Sequence, residues 1–267
     1  MEHKELGATG VKLPEVGLGT WQYRGSVEPL KKGIALGASF IDTAEMYGTE
    51  PVVGEAIREE RDRVFLATKV SGNHLRYDEV LKAAEQSLKR LGVDRIDLYQ
   101  IHWPDPGVPI RETVRAMETL VDSGKVRFIG VSNFYLANLK EAQACMAKYK
   151  IVSNQVKYSL LNRGIEEDML PYCQANQITV IAYSPLARGE LASRPLLKHR
   201  DAFNILQNIA HQTGKTPAQV ALNWCLSRPN VVVIPKSDKV ERVAENCHAS
   251  GWKLSREQIE ALNRAFG

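Results

Sequence analysis

The chain has little of what would mark several broad classes of protein. It carries only four cysteines, Cys145, Cys173, Cys225 and Cys247, in 267 residues. None are paired at the short spacing of a zinc site, and each falls in a stretch that reads as helix, so reduced thiols are expected and no metal centre. No apolar run approaches the ~20 residues needed to span a bilayer, and Met1-Glu-His-Lys-Glu-Leu6 offers no hydrophobic region of a secretion signal. A soluble, cytoplasmic protein without membrane contacts is expected. The formal charge of +4 is small and interspersed, and no Lys/Arg block stands out, which argues against nucleic acid as a partner. Low-complexity tracts and linkers are missing as well. With 44% apolar and 25% charged residues, the sequence is expected to form one domain over 1–267 with a sizeable core.

A further missing feature narrows the fold. Strand and helix patterns alternate, yet no Gly-x-Gly-x-x-Gly opens a helix after the first strand. Gly17-Leu-Gly19 runs instead into Thr20 and Trp21, so a dinucleotide fold of the doubly wound type is not indicated. His3 to Pro14 reads as a hairpin around Gly7-Ala-Thr-Gly10. Eight strand-like runs follow: Val16 to Gly19, Ser39 to Ile41, Val64 to Thr68, Ile96 to Ile101, Val126 to Val131, Ile151 to Ser153, Thr179 to Ala182 and Val231 to Ile234. Most recur every ~25–30 residues, the length of one strand-helix unit.

The intervening stretches have helical spacing, as in Val80, Ala84, Leu88 and Leu91 before Gly92. Helices near Ala202 to Gln212 and Pro217 to Ser227 precede the last strand. Val240 to Ala249 and Ser255 to Ala265 follow it, the latter with capping-box spacing between Ser255 and Gln258. The expected architecture is α/β: a (β/α)8 TIM barrel with an N-terminal β-hairpin and extra C-terminal helices.

In such barrels chemistry sits at the C-terminal strand ends. The residues there are Gly19-Thr20-Trp21, Asp42, Lys69, His102-Trp103, Ser132-Asn133, Gln155, Tyr183-Ser184 and Pro235-Lys236-Ser237, with Tyr47 beside Gly48 just beyond Asp42. A phenol titrates near ~10, a poor proton donor at neutral pH unless a cation lowers that value. A lysine against apolar runs needs a partner, which Asp42 supplies. These types in this order point to proton transfer, with Tyr47 as donor, Lys69 as the group that lowers its pKa, Asp42 as anchor and His102 orienting a substrate oxygen or relaying the proton. Trp21 and Trp103 are expected to wall a substrate pocket together with Tyr47 and His102. Glu45 is expected to face solvent.

Asp42 with Tyr47, Thr68-Lys69, His102-Trp103-Pro104, Gly130-Val-Ser-Asn-Phe134, Tyr183-Ser-Pro-Leu186, and Ile234-Pro-Lys-Ser237 followed by Glu245-Asn246 resemble the aldo-keto reductase family from about Leu13 to Asn246. The resemblance implies a metal-free barrel, commonly monomeric, that reduces small-molecule aldehydes and ketones with NADPH in preference to NADH. It implies nicotinamide stacking on Tyr183 and a carboxamide held by Ser132, Asn133 and Gln155, with Gly19, Thr20, Trp21 and Asp42 on the cofactor's side of the pocket. Diphosphate would lie along Ser184, Pro185, Leu186 and on to Gly189. The adenosine 2′-phosphate would lie on Lys236, Ser237 and Arg242, and the adenine on Glu245 and Asn246. Two departures stand out. Lys239 replaces a small residue, adding charge to the phosphate site or pointing to solvent. The chain stops at Gly267 after its last helix, and the segment after Trp103 is brief, so an open pocket is expected.

Two other functions fit parts of the pattern. Lys69 could form a Schiff base in a barrel aldolase, with Lys236-Ser237 on a substrate phosphate. Alternatively, the barrel could bind NADPH as a non-catalytic scaffold subunit.

Overall fold

A computed structural model of the chain describes residues 1–192 and 199–267. The first two strands, β1 (His3–Glu5) and β2 (Lys12–Pro14), pair antiparallel as the expected hairpin. Among the described residues eight further strands form one parallel sheet in chain order: β3 (Leu18–Gly19), β4 (Phe40–Asp42), β5 (Phe65–Val70), β6 (Ile96–Ile101), β7 (Val126–Ser132), β8 (Ile151–Lys157), β9 (Thr179–Tyr183) and β10 (Val231–Val233). The two ends of the sheet meet through a parallel bridge between Val16 and Val233. Gly17 N donates to Val233 O at 2.8 Å, and Gly19 N donates to Pro235 O at 3.2 Å. A Cβ on Gly19 would lie 2.6 Å from Ile234 O, so closure at this seam requires glycine.

The helices cover the outside, as buried parallel strands demand. They are α1 (Val27–Ala35), α2 (Glu50–Ile57), α3 (Tyr77–Leu91), α4 (Ile110–Asp122), α5 (Leu136–Cys145), α6 (Met169–Ala175), α7 (Arg200–Thr213), α8 (Pro217–Leu226), α9 (Val240–Cys247) and α10 (Arg256–Ala265). Their starts follow from local chemistry. Ser255 Oγ accepts the Gln258 N–H at 3.2 Å while Gln258 Oε1 accepts the Ser255 N–H at 3.0 Å, which is the reciprocal cap its spacing predicts. Thr216 and Gln219 do the same ahead of α8.

The barrel interior follows from the two-residue period of its strands. Phe40, Ala67, Leu98, Ile181 and Val232 point inward and pack with Leu6 and Leu13 of the hairpin. The hairpin closes the N-terminal end, with Gly7 N donating to Thr179 Oγ1 at 2.8 Å at the start of β9. Lys4 fastens the same end: its Nζ donates to Leu226 O (2.5 Å), Arg228 O (2.8 Å) and Val231 O (2.7 Å), satisfying carbonyls where α8 stops and β10 begins. The opposite end is therefore the open one.

Five strands run further than their sequence runs suggest. β4 continues to Asp42, β5 to Val70, β7 to Ser132, β8 to Lys157 and β9 to Tyr183, so Asp42, Lys69, Ser132, Gln155 and Tyr183 lie within strands and not just after them. An apolar count stops at the first polar residue, whereas the hydrogen-bonded ladder continues wherever that residue has a partner inside the barrel.

Candidate active site

Stepping two residues along six of the inward-facing rows reaches a polar group. Phe40 leads to Asp42, Ala67 to Lys69, Leu98 to Gln100, Gly130 to Ser132, Ser153 to Gln155, and Ile181 to Tyr183. The registers set Lys69 beside Gln100 and Ser132 beside Gln155, while Asp42 pairs with Ala67, Gln100 with Gly130 and Gln155 with Ile181, so the polar row steps by two residues at alternate seams. Gly130 leaves the room: a Cβ there would lie 2.5 Å from Ser153 Oγ and 3.0 Å from Gln100 Cγ.

Lys69 is fully buried, and its Nζ donates to Asp42 Oδ1 at 2.5 Å and to Thr43 O at 2.8 Å. The other Asp42 oxygen accepts Gln155 Nε2 at 2.7 Å and Gln100 Nε2 at 3.1 Å. Asp42 is thus paired and hydrogen-bonded on both oxygens, the condition under which a buried carboxylate is tolerated. Burial pulls the Lys69 pKa down, but Asp42 and Tyr47 more than offset it, and the net direction is upward. The lysine is therefore a fixed ammonium at neutral pH.

Tyr47 reaches this pair from the turn after β4. Lys69 Nζ lies 5.0 Å from the centroid of its ring. Its hydroxyl is 3.4 Å from His102 Nε2, and the two rings meet edge to face with centroids 5.4 Å apart. Asp42, Tyr47, Lys69 and His102 thus form one cluster.

Its electrostatics differ from the sequence expectation in one respect. Burial raises the Tyr47 pKa above 10.0, and the Lys69 ammonium only partly offsets that rise. The expectation weighed the cation without the cost of burying a phenolate. His102 moves the other way: burial, reinforced by the Lys69 charge, depresses it to about 3. Its imidazole is therefore neutral through the physiological range.

Around the cluster, Tyr183 OH donates to Asn133 Oδ1 at 2.9 Å, while Asn133 Nδ2 donates to His102 O (3.0 Å) and Ser132 Oγ (3.1 Å). Ser132 Oγ in turn donates to Gln155 O at 3.0 Å. Of the groups expected at a carboxamide, the Asn133 amide and the Ser132 hydroxyl are therefore gathered beside a half-buried tyrosine ring, whereas Gln155 contributes its backbone carbonyl here and turns its side-chain amide to Asp42. After β9 the loop places Ser184, Ala187 and Arg188 at positive φ (50°, 49° and 58°), an unusual concentration for non-glycine residues, ahead of Gly189 at 97°. Pro185 and Leu186 lie within it, and Arg188 stacks 5.3 Å from the Trp21 ring. Trp21 and Trp103 are 41% and 51% exposed on the rim, and Met46 and Tyr135 are also exposed.

Lys236, Ser237, Arg242, Glu245 and Asn246 form a separate group where β10 leads into α9, remote in sequence from the cluster. Ser237 Oγ accepts the Lys239 N–H at 3.1 Å, and Arg242 and Lys239 are exposed. Asn246 is buried, and the Glu245 carbonyl accepts Gln219 Nε2 at 3.0 Å. Glu45 is not the solvent-facing residue expected. Its Oε2 accepts the Ser71 N–H at 2.9 Å and its Oε1 lies 2.7 Å from His74 Nδ1, tying the Tyr47 turn to the loop after β5.

Two further features escaped the sequence reading. Gln100 lies on the same inward row as Leu98, so the two-residue period would have found it. The hydroxyls of Thr20, Thr43 and Thr49 link at 3.1 and 2.8 Å, and Thr20 Oγ1 donates to Asp42 O at 3.0 Å, holding the ends of β3 and β4 to the start of α2. Only the tertiary structure brings those three together.

The Aldo/keto reductase family model matches residues 15–266. The chain belongs to the aldo-keto reductase family. It is 40% identical to the methylglyoxal reductase YeaE of Escherichia coli, over 100% of this chain and 96% of that one. To the glyoxal reductase of Bacillus subtilis it is 37% identical, over 96% and 91%. An aldo-keto reductase from Klebsiella pneumoniae, solved with NADP and acetate, superposes with a TM-score of 0.89 at 39% identity, covering 100% of this chain and 96% of that one. This aldo-keto reductase is accordingly an oxidoreductase acting on carbonyl groups, and its eight-stranded barrel is that of the family. Among the described residues no helix is long and apolar enough to cross a membrane.

Proposed function

We propose that this aldo-keto reductase reduces small aldehydes and ketones with NADPH, preferring it to NADH, and that Tyr47 delivers the proton. The observation that carries the reading is the Lys69 ammonium, locked on Asp42 at 2.5 Å and set 5.0 Å from the Tyr47 ring. A reduced nicotinamide supplies the hydride. Everything else falls to the chain's own residues.

Tyr47 remains protonated at neutral pH and donates to the carbonyl oxygen as negative charge develops there. Lys69 opposes the rise in phenol pKa that burial alone would produce, and it stabilises the phenolate left behind. Asp42 fixes the ammonium, and Gln100 fixes Asp42. His102, neutral and with Nε2 3.4 Å from the Tyr47 hydroxyl, orients the substrate oxygen and does not serve as the acid. Trp21 and Trp103 flank the entrance, which suits small substrates such as the dicarbonyls in the names of the E. coli and B. subtilis relatives.

The residues fit the cofactor in three respects. Tyr183 is held by Asn133 with its ring half-exposed, the Asn133 amide and Ser132 hydroxyl converge beside it, and the loop Ser184 to Gly189 holds strained backbone next to both. Lys236, Ser237 and Arg242 are proposed to receive the 2′-phosphate, with Glu245 and Asn246 at the adenine. The expected result for Arg242→Ala is NADPH binding weakened about ten- to a hundred-fold, with NADH changed less than about two-fold. Titration calorimetry with both nucleotides checks this, and equal losses would place Arg242 away from the phosphate.

The Schiff-base alternative has no support, since Lys69 is fully buried and held as a cation. Turnover of small aldehydes, followed by loss of the reduced nicotinamide's absorbance, separates an enzyme from a non-catalytic scaffold.

A further inference from the structure

Lys236 already has an anionic partner. Its Nζ lies 2.5 Å from Asp238 Oδ2, with the two side chains 29% and 35% exposed. The second Asp238 oxygen, Oδ1, accepts the Arg24 N–H at 3.0 Å, from the loop between β3 and α1. That same loop presents the Tyr23 ring 5.9 Å from Lys236 Nζ. Asp238 therefore clasps two loops together and neutralises one of the cations facing the proposed 2′-phosphate. Partial burial pushes its carboxyl pKa up, but Lys236 and the N–H groups of Arg24 and Gly25 more than offset this, and it stays ionised at neutral pH. By contrast, Arg242 and Lys239 are exposed and form no ion pair among the described residues.

We infer that Asp238 is a specificity-determining residue for the cofactor, which occupies Lys236 and so narrows the preference for NADPH over NADH. This rests on the reading of Lys236, Ser237 and Arg242 as the 2′-phosphate site. A phosphate dianion that takes Lys236 must either share its ammonium with the carboxylate or displace it, and in both cases it comes to stand beside a like charge. The ribose hydroxyl of NADH carries no charge and leaves the pair intact. The cost therefore falls on one nucleotide. An ion pair this exposed is worth little by itself, so the attenuation expected is roughly three- to ten-fold.

The test is Asp238→Asn, which keeps a carbonyl oxygen for the Arg24 N–H and removes the charge. Dissociation constants for NADPH and NADH are measured by titration calorimetry at low and high salt, together with the melting temperature. The inference predicts NADPH bound about three- to ten-fold more tightly at low salt, less so at high salt, with NADH within about two-fold and melting unchanged. No change for NADPH, or an equal change for both nucleotides, overturns it.

Asp238→Ala, which removes the clasp as well, guards against a merely structural role. If Ala loosens both nucleotides and Asn affects neither, Asp238 only holds loops and the inference is wrong. Lys236→Met, run in parallel, separates the two levels. If it weakens NADPH selectively while Asp238→Asn has no effect, the phosphate site stands and this inference alone falls. If it leaves NADPH unaffected relative to NADH, both fall.

Discussion

Tyr47→Phe is expected to bind NADPH as the parent chain does and to lose about 10²- to 10⁴-fold in carbonyl reduction, the usual worth of a positioned general acid. The substitution takes away one oxygen. The ring it leaves keeps its edge-to-face contact with His102 and its place over the Lys69 ammonium. Nucleotide binding rests on other residues in the proposal, so it reports on the integrity of the site independently of turnover. Reduction at nearly the parental rate, with a small aldehyde and intact NADPH binding, would remove Tyr47 from the chemistry.

Lys69→Met should affect both stability and activity. Methionine matches the lysine in length but leaves Asp42 Oδ1 and the Thr43 carbonyl without the donor now at 2.5 and 2.8 Å. Removing one partner of a buried pair typically costs about 3–5 kcal/mol. Here Gln100 and Gln155 still serve Asp42 Oδ2, which favours the lower end, about 3 kcal/mol, read from urea unfolding. Without the ammonium the Tyr47 phenol has nothing to oppose its burial and becomes a weaker acid. Turnover is therefore expected to fall about 10²-fold or more in protein that remains folded. A folded Lys69→Met enzyme with parental activity would show that the ammonium plays no part in the reaction.

Much of this was legible from where the apolar runs end. Phe40-Ile-Asp42 and Ala67-Thr-Lys69 each end a strand-like run on a charged residue, and the pairing of β4 with β5 puts Asp42 within reach of the Lys69 side chain. The hairpin and the Ser255–Gln258 cap were likewise local in origin. What could not be read depended on distant groups. The direction of the Tyr47 pKa is a balance between burial and the Lys69 charge, and the degree of burial belongs to the folded barrel. Glu45 looked like an ordinary surface acid because its partners, Ser71 and His74, lie a whole strand-helix unit away. Asp238 owes its clasp to Arg24, 214 residues earlier. Gln100 is different: Asp42 and Lys69 stand at the ends of apolar runs, whereas Gln100 lies inside one, where only the two-residue period picks it out.

The central claim is that Tyr47 and not His102 donates the proton, and the pH dependence of kcat/KM for a small aldehyde at saturating NADPH tests it most directly. A general acid works while protonated, so activity is present below its pKa and lost above it. With the phenol raised above 10.0 and the imidazole lowered to about 3, the account predicts a flat profile through neutrality and one decline above about pH 10. A decline centred near pH 6.5, persisting in Tyr47→Phe and absent from His102→Asn, would make the imidazole the acid and contradict it.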